Sequence, residues 1–253
     1  MKTSGKIILS TLHSLVFSLF FGYVALPEPP AADLRITYVG NAGYLLEADG
    51  RKILIDALLG SYQSQYVQLP REIQIRLENA ESPFDNVNLV LATHVHHDHF
   101  GARSVGRYLL SDLKAQFVST GQAVRRLATD LSDYSDVRSR IRAAEPQEGV
   151  TYEVANFGLQ ALNLHHGRYR KPPVENLGFV MRLGGWNVLH VGDTEITSED
   201  LRIYSGSLGS IDVAMIPTWF LMGKGWESVQ QWRSVIEAAV NPRYIVLIHL
   251  PLE

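Results

Sequence analysis

Residues 94–99 read His-Val-His-His-Asp-His, and this is the most informative stretch of the sequence. It follows Val87–Thr93, a continuous apolar run that predicts a β-strand covered on both faces. In an extended segment, alternation places His94 and His96 on the same side, so both can reach one metal ion. A metal site at the end of a buried strand is therefore the first prediction.

The stretch continues with Asp98 and His99, where the chain turns towards a helix. These two side chains are placed to face a second ion close to the first. Imidazole and carboxylate groups are the natural metal ligands of a chain without cysteine, and this sequence contains no cysteine. The alternative is a solvated polar loop, or histidines satisfied by backbone hydrogen bonds. The spacing of the four residues favours metal binding.

Composition narrows the classes of protein further. The 253 residues are 46% hydrophobic and 19% charged, which predicts a folded chain with a substantial core and excludes disordered and fibrous proteins. The absence of cysteine excludes disulfide scaffolds, iron–sulfur clusters and thiol nucleophiles. A net charge of -3 argues against a nucleic-acid partner, which would require a basic surface.

The N-terminus has the pattern of an export signal. Lys2 and Lys6 precede an uncharged, largely apolar run over residues 7–26, which a proline cluster ends. The run is also long enough to span a bilayer, and Tyr23 stands where a cleavage site needs a small residue. We therefore expect residues 1–30 to be a signal or membrane-anchor segment. The protein would be periplasmic or extracellular, released or held at the membrane; a buried N-terminal helix is the alternative.

The remaining residues, 31–253, read as one α/β domain of short strands and amphipathic helices. The predicted strands are Leu34–Val39, Tyr44–Ala48, Lys52–Asp56, Val87–Thr93, Gln116–Ser119, Thr151–Val154, Leu159–Leu164, Leu177–Leu183, Asn187–Val191, Ile211–Ile216 and Tyr244–Ile248, and the predicted helices are Ala102–Ser111, Gln122–Leu131 and one with an apolar stripe over 229–239.

Further histidine and aspartate residues follow other predicted strands. His165 and His166 end one strand, Asp193 follows another after Gly192, and His249 follows the last. Since every candidate lies at a strand end or in the loop beyond it, we expect one edge of the sheets to gather them all.

This set of residues resembles the signature of the metallo-β-lactamase-fold hydrolases. The stretch at 94–99 is the specific part, the later residues recur in the family's order, and the resemblance covers Leu34 to Pro251. It implies an α/β fold, a four-layer αββα sandwich, with a binuclear metal site at one edge. The implied ligands are His94, His96 and His166 for the first metal, Asp98, His99 and His249 for the second, and Asp193 as the bridge.

Two positions in this assignment have alternatives. His165 competes with His166, but in similar family segments a small residue follows the ligand at once, here Gly167, which favours His166. Asp56 ends the third predicted strand. In the family such a residue often orients a metal-bound histidine, and the alternative is an ordinary turn carboxylate.

The resemblance implies a metal-dependent hydrolase with two divalent ions, foremost Zn²⁺, with Mn²⁺ or Fe as alternatives. Two ions about 3.5–4 Å apart share a hydroxide and polarise the scissile oxygen. Asp98 would be the catalytic residue that passes a proton to the leaving group. The bridging Asp193 resembles the lactonase and phosphodiesterase branches, so we expect cleavage of an ester-like, lactone or phosphodiester bond.

Two segments bear on the substrate. Arg168–Lys171 supplies cations that would hold a phosphate or carboxylate, or is a solvated loop. Trp219–Met222 would line an apolar pocket or touch a membrane, or is core. We therefore expect a small-molecule or lipid-like substrate. The alternative functions are a di-iron oxidoreductase on the same fold and a non-catalytic metal- or ligand-binding member.

Overall fold

The computed structural model describes residues 32–61, 69–154, 156–166, 173–194, 202–220, 236–237 and 239–250. Four sequence-derived predictions therefore lie wholly or mostly outside the described residues: the N-terminal apolar segment, the Arg168–Lys171 loop, the end of Trp219–Met222 and the helix over 229–239. Among the helices that are described, none is both long and apolar enough to cross a membrane.

The first sheet consists of six strands in chain order. They are β1 (Arg35–Gly40), β2 (Gly43–Ala48), β3 (Arg51–Ile55), β4 (Leu89–Leu91), β5 (Gln116–Ser119) and β6 (Ile141–Ala143). Strands β1 to β3 form antiparallel hairpins, and β3 to β6 are parallel. The β2–β3 turn uses Asp49 and Gly50, whose φ angles of 50° and 69° are left-handed, as a tight hairpin turn requires.

The second sheet also has six strands, in the order β12-β11-β10-β9-β8-β7. They are β7 (Tyr152–Val154), β8 (Leu159–Asn163), β9 (Leu177–Leu183), β10 (Trp186–His190), β11 (Val213–Pro217) and β12 (Tyr244–Ile248). Strands β7 to β10 are antiparallel, and β10 to β12 are parallel.

The described helices are α1 (Arg71–Glu78), α2 (Ala102–Ser111), α3 (Gly121–Asp130), α4 (Tyr134–Val137) and α5 (Ser205–Leu208), with 3-10 turns at Arg138–Arg140 and Thr218–Phe220. Helix α3 begins after Thr120, whose hydroxyl accepts a hydrogen bond from Ala123 N at 3.1 Å. This side-chain cap satisfies one of the backbone donors left open at a helix start.

Three apolar clusters define four layers. The central cluster, which includes Leu46, Ile55, Phe179 and Met215, fills the space between the two sheets. A second cluster packs α2 and α3 against the outer face of the first sheet. A third covers the outer face of the second sheet and contains Tyr204 and Leu208 of the α5 region. The predicted αββα sandwich is confirmed.

The strand at the heart of the prediction is shorter than Val87–Thr93. Strand β4 covers only Leu89–Leu91, because the backbone N–H of Thr93 leaves the ladder and donates to the Asp56 carboxylate at 2.7 Å. The apolar run thus predicts burial correctly but overstates strand length. Because the strand ends at Leu91, His94 and the residues after it lie at the edge of the sheet.

Candidate metal centre

Every sequence-predicted ligand lies just beyond the carboxyl end of a strand. The cluster at 94–99 follows β4, His166 follows β8, Asp193 follows β10 and His249 follows β12. Because two face-to-face sheets end at this edge, four separate stretches of chain meet there. The predicted ligands therefore lie in loops that the two packed sheets hold in position.

The structure brings all seven predicted ligands together in two neighbouring groups. We call His94, His96 and His166 the first group, and Asp98, His99, Asp193 and His249 the second group. Within each group, one ligand atom from every residue lies within 4.8 Å of the others.

The first group consists of three imidazoles in close contact. His94 Nε2 lies 3.0 Å from His96 Nδ1, and the His166 ring centroid is 4.6 Å from each of the other two rings. His94 is completely buried. Burial, followed by the neighbouring His99, lowers the pKa of His94 well below its usual value. His94 is therefore neutral at physiological pH and keeps a lone pair for a ligand.

The second group is built around a short contact between two histidines. His99 Nε2 and His249 Nε2 are 2.6 Å apart, and Asp193 Oδ1 lies 3.0 Å from the former and 2.6 Å from the latter. Asp98 stands at the rim, with Oδ2 4.0 Å from His99 Nε2. The side chain of Asp98 is 19% exposed, whereas that of His99 is fully buried.

Asp193 lies between the two groups and faces both. While Oδ1 contacts the second group, Oδ2 lies 3.7 Å from His166 Nε2 and 3.9 Å from His94 Nε2. The sharp approach to this position depends on Gly192, which has a φ of 61°. A Cβ at Gly192 would lie 2.4 Å from Asn176 Oδ1, so no larger residue fits before Asp193.

The adjacent pair His165 and His166 separates clearly in space. His166 belongs to the first group, whereas the His165 side chain is 59% exposed and its Nε2 lies 3.8 Å from Glu148. The main chain of His165 nonetheless takes part in local structure, because its carbonyl accepts a hydrogen bond from Thr194 Oγ1 at 3.0 Å.

The carboxylates in and beside the second group favour a positive charge there. Burial disfavours protonation of His99, but the carboxylates of Asp193 and Asp56 outweigh it and raise the pKa of His99 well above its usual value. Burial likewise disfavours ionisation of Asp193, but His99 and His249 hold its pKa well below the usual range. The carboxylates thus demand positive charge at this place, which a proton or a metal ion can supply.

The donor set fits divalent metal ions. Histidine and carboxylate ligands converge from several directions in both groups, and each neutral imidazole offers one lone pair. Ring nitrogens that face each other at 2.6 Å and 3.0 Å can share a proton or direct their lone pairs towards one metal ion. His94, His96 and His166 would hold one ion, and the second group another, with Asp193 able to serve both.

Two supporting residues, Asn176 and Asn41, have no recognisable signal in the sequence. Asn176 is buried, and its amide nitrogen donates to Leu164 O and Val191 O while its oxygen accepts from Asp193 N. Asn41, in the β1–β2 turn, donates to Asp98 O at 2.9 Å. Both roles depend on contacts between distant parts of the chain, so only the structure reveals them.

One aromatic side chain borders the second group. The Trp219 ring lies 4.9 Å from the His249 ring, and its Nε1 is 3.4 Å from Thr194 O. The hydroxyl of Thr218 donates to His249 O at 2.6 Å. The 3-10 turn after β11 therefore braces the last predicted ligand, and part of the segment predicted to line a pocket lies beside the site.

Comparison with known proteins agrees with this arrangement. The sequence pattern of the β-lactamase superfamily domain matches residues 35–249. A UPF0173 metal-dependent hydrolase from Pyrococcus abyssi is 27% identical over 229 residues, which cover 85% of this chain and 84% of the relative.

Two solved structures have a similar fold. Igni18, a metallo hydrolase from Ignicoccus hospitalis, matches with a TM-score of 0.54 and 21% identity over 85% of this chain and 82% of its own. CmlA, a diiron β-hydroxylase from Streptomyces venezuelae, matches with a TM-score of 0.55 and 19% identity over 88% of this chain and 46% of its own. At these identities the likeness concerns the fold alone.

Proposed function

The chain belongs to the family of β-lactamase superfamily domains, and we propose a function on that basis. This metal-dependent hydrolase uses two zinc ions to cleave an ester-like, lactone or phosphodiester bond. One observation carries the proposal. The two oxygens of Asp193 face separate groups of ligands, Oδ1 towards His249 at 2.6 Å and Oδ2 towards His166 at 3.7 Å. A carboxylate in this position is suited to join two ions into one centre.

When bound, two divalent ions activate a water molecule as nucleophile and polarise the oxygen of the scissile bond. The chain's own residues hold and orient this centre. His94 and His96 would bind the first ion, and Asp56 Oδ2, which lies 2.7 Å from His99 Nδ1, orients the His99 ring for the second. Asp98 is the most exposed carboxylate of the second group, which suits it to pass a proton to the leaving group.

The test uses the full chain loaded with zinc and three chromogenic or pH-monitored substrates: bis(p-nitrophenyl) phosphate, a p-nitrophenyl ester and a simple lactone. We expect hydrolysis of at least one of them that is lost in EDTA and restored by zinc. His96→Ala should lose the zinc ion of the first group and, with it, the activity. The matched control is His97→Ala, because His97 is an exposed neighbour that belongs to neither group.

Other outcomes identify the competing functions. Two bound zinc ions without hydrolysis of any of the three substrates would favour a non-catalytic binding member. Bound iron in the protein as isolated, together with oxygen consumption in the presence of a reductant, would favour a di-iron oxidoreductase. Unchanged zinc content in His96→Ala would contradict the ligand assignment itself.

We also propose that residues 31–253 form the metallo-hydrolase domain and that residues 1–30 export or anchor it, with a small-molecule or lipid-like substrate. The charge pattern around the apolar run over 7–26 supports export. Fractionation of cells that express the full chain tests this proposal. Recovery in the cytoplasm at full length would contradict it, whereas recovery in the membrane fraction would identify an uncleaved anchor.

A further inference from the structure

We infer that Asn41, at the tip of the β1–β2 hairpin, is a positioning residue for Asp98 and that its side-chain amide raises the affinity of the second group for its metal ion. The inference rests on the proposed function, since it concerns how that centre is held. Asn41 lies 57 residues before Asp98 in the sequence and is not itself a member of either group.

The contact is direct and its polarity is defined. Asn41 Nδ2 lies 2.9 Å from the main-chain oxygen of Asp98 and 3.5 Å from its carboxylate Oδ2. A carbonyl and a carboxylate oxygen can only accept, so the amide nitrogen must be the atom that faces them. One donor group therefore restrains both the backbone and the side chain of Asp98.

The hairpin tip that carries Asn41 is fixed on two other sides. His190 Nε2 lies 3.2 Å from the carbonyl oxygen of Ala42. A Cβ at Gly43 would lie 2.6 Å from Asp56 O and 2.8 Å from Ala57 Cα, which shows how closely the two backbones approach. The tip thus has little freedom to move, and the hydrogen bonds from Asn41 restrain Asp98 in turn.

Among the described residues, Asn41 leaves a polar side-chain atom unsatisfied in the interior. Its φ of 46° is left-handed, a conformation that asparagine tolerates better than most residues, so the turn accounts for its backbone but not for its buried amide. Its side chain is fully buried, yet Oδ1 accepts no hydrogen bond from the part of the chain that the structure describes. A buried acceptor without a donor is unfavourable. The hydrogen bonds to Asp98 are the compensating interaction, which points to a role in the site.

Asp98 is the member of the second group that most needs such support. It is 19% exposed, whereas the side chains of His99, Asp193 and His249 are 0%, 12% and 1% exposed. An exposed carboxylate loses rotamer freedom when it binds an ion, and a neighbour that already holds it lowers this loss. Removal of such an outer partner typically weakens metal affinity about 10–100-fold.

The test measures zinc affinity by competition with a chromophoric chelator in full-length variants. Asn41→Gly removes the amide and accepts the left-handed backbone. Asn41→Asp keeps the shape but turns an oxygen towards Asp98 O. Each is introduced into His96→Ala, which leaves the second group intact, and into His249→Ala, which leaves the first group intact. Asn86→Gly is the control, because Asn86 is exposed and also has a left-handed φ, of 56°.

We expect both Asn41 variants to weaken zinc binding about 10–100-fold in the His96→Ala background and to leave it unchanged in the His249→Ala background. Thermal unfolding in EDTA tests whether Asn41 only stabilises the fold. In that case its variants should lower the unfolding midpoint, and any loss of zinc affinity should be equal in the two backgrounds. Zinc affinities within twofold of the parent in both backgrounds would overturn the inference. The proposed function would still stand if the wild type binds two zinc ions. A wild type that binds no zinc would overturn both.

Discussion

Asp56 Oδ2 lies 2.7 Å from His99 Nδ1, and both side chains are fully buried. The same carboxylate accepts hydrogen bonds from the backbone N–H and the hydroxyl of Thr93, each at 2.7 Å. With Nδ1–H donating to Asp56, the atom of His99 left to bind a metal is Nε2, which faces Asp193 and His249 and can bind an ion once it has lost its proton. Asp56 therefore selects the tautomer that a metal ligand requires.

Asp56→Asn should weaken zinc binding by the second group. An asparagine can still accept from Thr93 N, but its NH₂ would face His99 Nδ1 and force the ring proton onto Nε2, where the lone pair is needed. We expect a loss of zinc affinity of about 10–100-fold, measured by chelator competition. Asp112→Asn is the control, because Asp112 Oδ1 accepts from Lys114 N and Ala115 N far from the site, and an amide oxygen replaces it there. Wild-type affinity in Asp56→Asn would exclude this role.

The neighbouring pair His165 and His166 gives a second prediction. His166→Ala should remove one zinc ion, since His166 packs against His94 and His96 in the first group. His165→Ala should retain both ions, because its side chain is 59% exposed and points to Glu148. Metal analysis of the two purified variants decides between them. Loss of an ion in His165→Ala alone would reverse the assignment.

Zinc binding should depend on pH because of His99. The carboxylates of Asp193 and Asp56 outweigh burial and raise the pKa of His99 well above its usual value, so the metal-free protein keeps this proton at neutral pH. Zinc must displace it, and affinity should therefore continue to rise with pH above about 6.5, where an ordinary histidine is already neutral and affinity would level off. His94, whose pKa is lowered mainly by burial, is already neutral and should release no proton.

Calorimetry at neutral pH in two buffers with different ionisation enthalpies tests this proton release. The observed heat should differ between the buffers in proportion to the protons released on zinc binding. His99→Ala should show a smaller difference. Equal heats in both buffers for the wild type would mean that His99 carries no proton before zinc binds.

Much of the fold was predictable because burial leaves a local pattern. Gln116–Ser119, Leu177–Leu183 and Tyr244–Ile248 are strands with the predicted bounds, because each contains the β-branched and aromatic residues that favour strands. Strand β6 was not predicted, because it has only three residues and contains Arg142. Arg140, just before it, donates to Leu109 O, Asp112 O and Ala115 O, and such long-range contacts leave no local pattern in the sequence.

The candidate site divides in the same way. Residues 94–99 stand out because histidine and aspartate are clustered within one loop. Asn41 and Asn176 do not, because an asparagine in a turn or at a strand start is common and its partners lie far along the chain. The sequence of the β1–β2 turn predicts a hairpin, but nothing in it indicates that the turn reaches Asp98. Long-range hydrogen bonds of this kind leave no periodic signal.

Asn176 connects the two stretches of chain that carry His166 and Asp193, and its replacement gives the last prediction. Its amide nitrogen donates to Leu164 O at 3.0 Å and Val191 O at 3.2 Å, and its oxygen accepts from Asp193 N at 3.2 Å. Asn176→Asp keeps the shape but leaves both buried carbonyls without this donor, so we expect the free energy of unfolding in EDTA to fall by about 2–4 kcal/mol. Urea denaturation measures this, with Asn88→Asp as control, because Asn88 is exposed and its side-chain oxygen, which an aspartate retains, accepts from Lys52 N. Equal stability of the two variants would show that the strand ends hold together without Asn176.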